Sequence, residues 1–153
     1  FNADDIFEMA VKIEKNGAIF YRSAAKQVEG NANKEFLLDL AVMEDAHEKT
    51  FAHMRQELKD DEAFSTTFDP GDENARYLMA FADSRVFFKK DLPKSNLEDI
   101  LATAIQTEKD SIAFYLGMKE LVPVKLGKDR LDDIIKEEMS HIRMLAGKLA
   151  EFE

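Results

Sequence analysis

Six side chains that can bind metal ions recur in this sequence at matched spacings. The motif Glu-x-x-His occurs twice, and a single Glu lies 30 residues before the Glu of each copy. The two sets are related by a constant offset of 94 residues: Glu14, Glu44 and His47 in the first half, and Glu108, Glu138 and His141 in the second. Residues three apart share one face of a helix, so each motif can direct a carboxylate and an imidazole at the same ion. Four carboxylates and two imidazoles from four helices are the ligands of a dinuclear metal site in a four-helix bundle.

The single Glu residues fall on the apolar faces of predicted helices. Glu14 lies in a stripe that runs from Ile6 to Val28, and the stripe around Glu108 begins at Leu97. A carboxylate on an apolar face is costly to bury unless it is paired or coordinates a metal. Because no inward Lys or Arg lies beside these carboxylates, the pattern favours metal ligation over a buried ion pair.

The hydrophobic periodicity predicts one all-α domain over residues 1–153. We expect four long helices and one shorter helix within the connection between the second and third, over approximately 3–29, 33–59, 73–88, 96–121 and 129–152. Ser95 with Glu98 predicts a capping box before the third long helix, and Met43 is assigned to the buried face of the second. Two tight helical hairpins joined by a long crossover form a ferritin-like four-helix bundle.

Composition and charge exclude several classes of function. A formal charge of −10 opposes a nucleic-acid partner, because such binding depends on Lys and Arg that neutralise phosphates. The absence of Cys excludes disulfides, thiol catalysis and iron–sulfur clusters. No apolar run approaches membrane-spanning length and no signal peptide is visible, so we expect a cytoplasmic protein without a membrane partner.

The ligand set indicates which ions it suits. Four carboxylates balance the charge of two divalent ions, and a mixture of carboxylate and imidazole suits iron or manganese. We predict two iron ions, with manganese, or zinc as a substitute, as the alternatives. Glu44 and Glu138 are assigned as bridges between the ions, and the other four ligands as terminal.

Two further pairs of residues follow the same offset. Tyr21 and Tyr115 each lie two turns beyond the single Glu of their half. A buried phenol needs a hydrogen-bond partner, so we predict that each orients a ligand carboxylate across the bundle, with an ordinary core tyrosine as the alternative. Gly17 and Ser111 lie one turn beyond the same Glu. They either permit close helix packing or leave one side open to a small oxidant, and since neither is a carboxylate we expect a nearly symmetric site.

These motifs resemble the di-iron domain of the rubrerythrins, within the ferritin-like superfamily, over nearly the whole chain. The resemblance is carried by the segments Glu14–Tyr21 and Glu108–Tyr115 and by the two Glu-x-x-His motifs. It implies a non-haem di-iron oxidoreductase that reduces hydrogen peroxide or dioxygen and forms a homodimer. Rubrerythrins usually carry a Cys-ligated rubredoxin module and an additional Glu where this sequence has Ser111. We therefore expect an external electron donor, such as a rubredoxin-type protein.

Three other functions stay open. The site can serve as a ferroxidase for iron storage or detoxification, or hold manganese and disproportionate peroxide as a catalase does. A metal-free bundle that acts as an interaction module is the third, although it leaves the inward carboxylates unexplained. A shell of many subunits would favour storage, and a dimer would favour redox catalysis.

Overall fold

Five α-helices make up the part of the chain that the computed structural model describes, namely residues 3–59, 73–84, 96–122 and 127–152. They are α1 (Ala3–Gln27), α2 (Asn31–Lys59), α3 (Glu73–Ser84), α4 (Leu97–Lys119) and α5 (Lys128–Ala150). α1 packs along α2 and α4 along α5, while α1 and α3 also contact α4. The predicted all-α, ferritin-like bundle is confirmed, and none of the described helices is long and apolar enough to cross a membrane.

The helix ends lie close to the predicted ones, with one error of capping. α4 begins at Leu97, and the side chain of Asn96 accepts a hydrogen bond of 2.8 Å from the backbone N–H of Asp99. The predicted capping box of Ser95 and Glu98 is therefore wrong by one residue. Asn is at least as good a cap as Ser, and it adopts the extended backbone that the position requires. The predicted end of the crossover helix, residues 85–88, lies outside the described residues.

Two apolar clusters fill the bundle, one on each side of a polar layer. One cluster joins the start of α1 to the end of α2, the later part of α4 and the start of α5. The other joins the later part of α1 to the start of α2, the start of α4 and Leu145 of α5. On every long helix the predicted metal ligands lie between the two clusters, for example Glu14 between Ile13 and Phe20. Apolar side chains thus cover the polar layer on both sides along the bundle.

A glycine precedes two of the helices at positions that favour it. Gly30, between α1 and α2, has φ of +88°, and Gly127, immediately before α5, has φ of +108°. Residues with a side chain rarely adopt this left-handed backbone conformation, whereas Gly does so without steric cost. The carbonyls of both glycines accept the first backbone hydrogen bonds of the helices that follow. These glycines lie where α2 and α5 begin, and the start of each helix fixes the position of its Glu-x-x-His motif along the bundle.

Candidate metal centre

The structure brings all six predicted ligands together at the centre of the bundle. Each of the six residues is at most 4% exposed. They form two overlapping groups, and within each group one ligand atom per residue lies within 4.8 Å of all the others. The first group is Glu14, Glu44, His47 and Glu138, and the second is Glu44, Glu108, Glu138 and His141. Glu44 and Glu138 belong to both groups, so each can contact ions in both positions.

The hydrogen bonding of these residues is incomplete in the way that bound cations would complete it. Among the described residues, seven buried side-chain nitrogen and oxygen atoms make no hydrogen bond, and all seven belong to the predicted ligands. Buried polar atoms normally have a partner, so their concentration at one place calls for an explanation. Oxygen and imidazole donors in this number fit two divalent ions. The atoms are Oε2 of Glu14, Oε1 of Glu44, Nδ1 of His47, Oε2 of Glu108, Oε1 and Oε2 of Glu138, and Nδ1 of His141.

Both histidines direct Nδ1 inward and Nε2 outward. Nδ1 of His47 lies 2.7 Å from Oε1 of Glu138 and 3.6 Å from Oε2 of Glu14, and neither close contact has the geometry of a hydrogen bond. Nδ1 of His141 lies 3.4 Å from Oε1 of Glu44 and 3.5 Å from Oε1 of Glu108. The two rings are nearly parallel, with centroids 5.8 Å apart. Nδ1 of His47 therefore faces the group that contains Glu14, and Nδ1 of His141 faces the group that contains Glu108.

The two tyrosines hydrogen-bond across the repeat. The hydroxyl of Tyr21 donates to Oε1 of Glu108, and the hydroxyl of Tyr115 donates to Oε1 of Glu14, each at 2.7 Å. Burial, followed by the charge of the nearby carboxylates, raises the pKa of both phenols well above 10.0. Both phenols therefore keep their protons, and each donates to Oε1 of its carboxylate while Oε2 makes no hydrogen bond.

Without cations, the buried carboxylates cannot all be ionised. Burial and then the neighbouring carboxylates raise the pKa of Glu44 and of Glu138 well above 4.5. Burial also raises the pKa of Glu108, but its contacts with Glu138 and His141 lower it further, to about 2. The raised pKa values favour the protonated forms of the two carboxylates that both groups share. Divalent ions between them would replace those protons.

Two residues that the sequence analysis did not assign to the site contact the outer histidine nitrogens. The carboxylate of Glu137 hydrogen-bonds to Nε2 of His47, and Sδ of Met43 lies 3.1 Å from Nε2 of His141. Met43 is 38% exposed, so its assignment to the buried face of α2 is wrong. It lines a pocket of about 280 Å³ between α2 and α5, with Ala46, His47, Glu137, Ser140, His141 and Met144. The offset of 94 relates Met43 to Glu137, but residues of such different type at matched positions do not reveal a contact with the histidines.

Gly17 and Ser111 do not open the site as one prediction proposed. Both are buried, and the hydroxyl of Ser111 donates to the carbonyl of Thr107 within its own helix at 3.0 Å. They lie on α1 and α4, which contact each other, so the small side chains accompany close helix packing. The pocket beside the histidines lies on the α2–α5 side instead.

Comparison with known proteins assigns the family. Residues 5–149 match the Rubrerythrin family model. The chain belongs to the rubrerythrin family. The resemblance found in the motifs is confirmed, and the buried carboxylate–histidine cluster is the candidate dinuclear metal site of this rubrerythrin-family protein.

A solved structure supports the same fold. A crystal structure from Thermotoga maritima, described as that of a ferritin-like diiron-carboxylate protein, is similar to this chain with a TM-score of 0.71 and 25% sequence identity. The similarity covers 100% of this rubrerythrin-family chain and 97% of the other. A comparison with curated protein sequences found no match.

Proposed function

We propose that this protein binds two iron ions and reduces hydrogen peroxide to water. One peroxide takes up two electrons and two protons, its O–O bond breaks, and two water molecules form. When bound, the two ferrous ions supply the two electrons, and a separate electron-carrier protein restores them. Glu44 and Glu138 would bridge the ions, with Glu14 and His47 on one ion and Glu108 and His141 on the other.

The observation that carries this proposal is the set of seven buried atoms without hydrogen bonds. All of them belong to six residues from four helices, and they divide into two groups that share Glu44 and Glu138. An apolar core does not retain such atoms without a ligand to stabilise them. Membership of the rubrerythrin family and similarity to a protein described as a diiron-carboxylate protein favour iron as the ligand.

The surroundings of the site suit a small oxidant. The two apolar clusters exclude bulk water above and below the ligands. Tyr21 and Tyr115 hold their protons on the hydroxyl oxygen and orient Glu108 and Glu14. The pocket between α2 and α5 is lined by both histidines, so hydrogen peroxide can approach the site from that side.

Anaerobic single-turnover chemistry tests the reaction. Apoprotein loaded with Fe(II) is mixed with hydrogen peroxide, and iron oxidation, peroxide consumption and dioxygen are measured together. We expect two Fe(II) oxidised per peroxide consumed and no dioxygen. Release of one dioxygen for every two peroxides would indicate catalase chemistry instead, and retention of many Fe(III) ions per chain under air would indicate a ferroxidase. Zn(II)-loaded protein is the control and should consume no peroxide.

The electron donor and the oligomeric state belong to the same proposal. These 153 residues contain no Cys, and we propose that a rubredoxin-type partner delivers electrons one at a time. We propose a homodimer on the basis of the family. Sedimentation velocity should give a dimer at micromolar concentration; a shell of many subunits would contradict this and favour iron storage.

A further inference from the structure

The inner ligands follow the internal repeat, but the residues behind the histidines do not. Glu137 hydrogen-bonds to Nε2 of His47, whereas Met43 places Sδ 3.1 Å from Nε2 of His141. The offset of 94 residues relates Glu137 to Met43, and each contacts the histidine of the other half. One repeat position thus carries a carboxylate on one side of the site and a thioether on the other.

These two groups act differently on a histidine ligand. A carboxylate accepts a charge-assisted hydrogen bond from Nε2–H, which holds one proton on Nε2 and makes Nδ1 a stronger donor to a metal once Nδ1 has lost its proton. A thioether is an uncharged and weak acceptor. Because Nδ1 is the inward atom of both rings, the difference between Glu137 and Met43 acts directly on the strength of the two imidazole ligands.

The position of these residues makes the difference accessible to experiment. The side chain of Glu137 is 60% exposed, Met43 as a whole residue is 38% exposed, and both line the pocket between α2 and α5. Water screens the charge of an exposed carboxylate at a distance, so the direct hydrogen bond to His47 carries its effect. Substitutions there change the partner of a ligand without disturbing either apolar cluster.

We propose that Glu137 is a positioning residue that makes the metal position held by Glu14 and His47 the tighter of the two. The position held by Glu108 and His141 is the weaker and fills second. The proposal rests on the dinuclear site of the proposed function. It replaces the expected near-symmetry with two positions that share the same ligand types and differ in affinity.

Exchange of the two partner residues provides the test. Apoprotein is titrated with Co(II), followed by calorimetry and by the visible absorption of the bound ion, for the wild type, Glu137→Met, Met43→Glu and the double exchange. We expect Glu137→Met to weaken the first step by about 10- to 100-fold, the usual effect of removing the outer partner of a metal-binding histidine. Met43→Glu should tighten the second step by a similar factor, and the double exchange should restore two unequal steps.

Two controls separate the hydrogen bond from simple loss of charge. Asp133 is exposed on the same helix, one turn before Glu137, so Asp133→Met removes a charge but should leave both steps unchanged. Glu137→Gln keeps a neutral acceptor and should give a first step between those of the wild type and Glu137→Met. Repulsion between the two ions weakens the second step in every variant alike, so only the changes among variants are compared.

The outcomes distinguish this inference from the proposed function. A wild type that binds fewer than two Co(II) ions refutes the dinuclear site, and the inference with it. A wild type that binds two ions, while Glu137→Met and Met43→Glu leave both steps unchanged, refutes only the role of Glu137. Equal weakening by Asp133→Met and Glu137→Met would also overturn the proposal, and if Glu137→Met fails to fold, the tightening expected for Met43→Glu decides.

Discussion

At the scale of single residues, Tyr21 and Tyr115 determine which oxygen of two buried carboxylates is hydrogen-bonded. Each phenol donates to Oε1 of the single Glu in the other half of the chain, and Oε2 of the same carboxylate makes no hydrogen bond. One oxygen is thereby fixed and the other is left for a cation. The repeat therefore duplicates the orientation of Glu14 and Glu108 as well as the ligands themselves.

Removal of one tyrosine hydroxyl should lower the free energy of unfolding without changing the shape of the core. We expect Tyr21→Phe to destabilise the metal-loaded protein by about 1–3 kcal/mol, because Glu108 loses a hydrogen bond in a buried position. Urea denaturation measures the change. Tyr77→Phe is the control, since the hydroxyl of Tyr77 bonds to the carbonyl of Ala113 on an exposed face and should contribute less. Equal losses in the two variants would contradict a special role for Tyr21.

The assignment of bridging ligands predicts unequal damage. Glu138→Ala removes oxygens from both groups of ligand atoms, whereas Glu14→Ala removes them from one. We expect Glu138→Ala to retain less than one iron per chain and Glu14→Ala to retain about one, as measured by elemental analysis after Fe(II) loading. Equal occupancy in the two variants would mean that Glu138 is not a bridge.

The apoprotein should lose stability as pH rises. Burial and the nearby carboxylates raise the pKa of Glu44 and Glu138. Burial alone would lower the pKa of His47, but contacts with Glu14 and Glu137 outweigh it and raise this pKa to about 8. A group whose pKa is raised on folding stabilises the protein below its unfolded pKa and ceases to do so as pH rises through the folded one. The shift of His47 from 6.5 alone corresponds to roughly 2 kcal/mol.

The pKa values of these residues also define the pH range of the effect and its control. The lowered pKa of Glu108, about 2, acts in the opposite sense, but only as pH falls from 4.5 toward 2. Between pH 4.5 and about 8, the melting temperature of the apoprotein should therefore fall. The metal-loaded protein should show the reverse trend over this window, because ligands bind metal in their deprotonated forms. An apoprotein that becomes more stable toward pH 8 would contradict the raised pKa values.

The sequence indicated which residues the structure brings together at the candidate site, but it did not indicate their outer partners. The six candidate ligands and the two tyrosines were recognisable because an internal repeat keeps chemically distinctive residues at fixed spacing. Glu137 was not recognised, because one acidic residue in a chain with 31 Asp and Glu carries little information. Its contact with His47 joins residues 90 apart, and only the packed structure shows it.

At the scale of helices, periodicity was a sufficient guide to number and position. Each long helix carries apolar residues on both sides of a ligand, which produces the two clusters and the polar layer between them. The capping error arose because Ser95 and Asn96 are adjacent and both are good caps. Met43 was misplaced because residues at the edge of an apolar stripe are buried only where a neighbouring helix covers them, and here α2 and α5 leave a pocket.

Two helical glycines provide a matched test of how α3 docks on α4. A Cβ atom on Gly117 would lie 2.5 Å from the ring of Tyr77, whereas one on Gly147 would meet nothing within 4 Å. Ala is favoured over Gly in a helix by about 1 kcal/mol, so Gly147→Ala should stabilise the protein by up to that amount. Gly117→Ala should fail to stabilise, because it displaces Tyr77, and urea denaturation compares the two. Equal stabilisation by both would show that α3 does not pack there as described.

At the scale of the whole molecule, the bundle places its buried carboxylates, which are costly to bury without cations, in one layer. Two apolar clusters enclose four of the carboxylates that contribute to the formal charge of −10. Divalent ions would neutralise those carboxylates, and the free energy of binding would then become part of the free energy of folding. The ferritin-like fold and the location of this layer followed from the sequence, whereas the open α2–α5 side followed only from the way the helices pack.

Iron content per chain is the most direct test of the dinuclear site. Apoprotein is loaded with excess Fe(II) under anaerobic conditions, loosely bound iron is removed by gel filtration, and iron and protein are then quantified in the same fractions. The arrangement of Glu14, Glu44, His47, Glu108, Glu138 and His141 predicts two iron ions per chain. One ion per chain, or none, would contradict it.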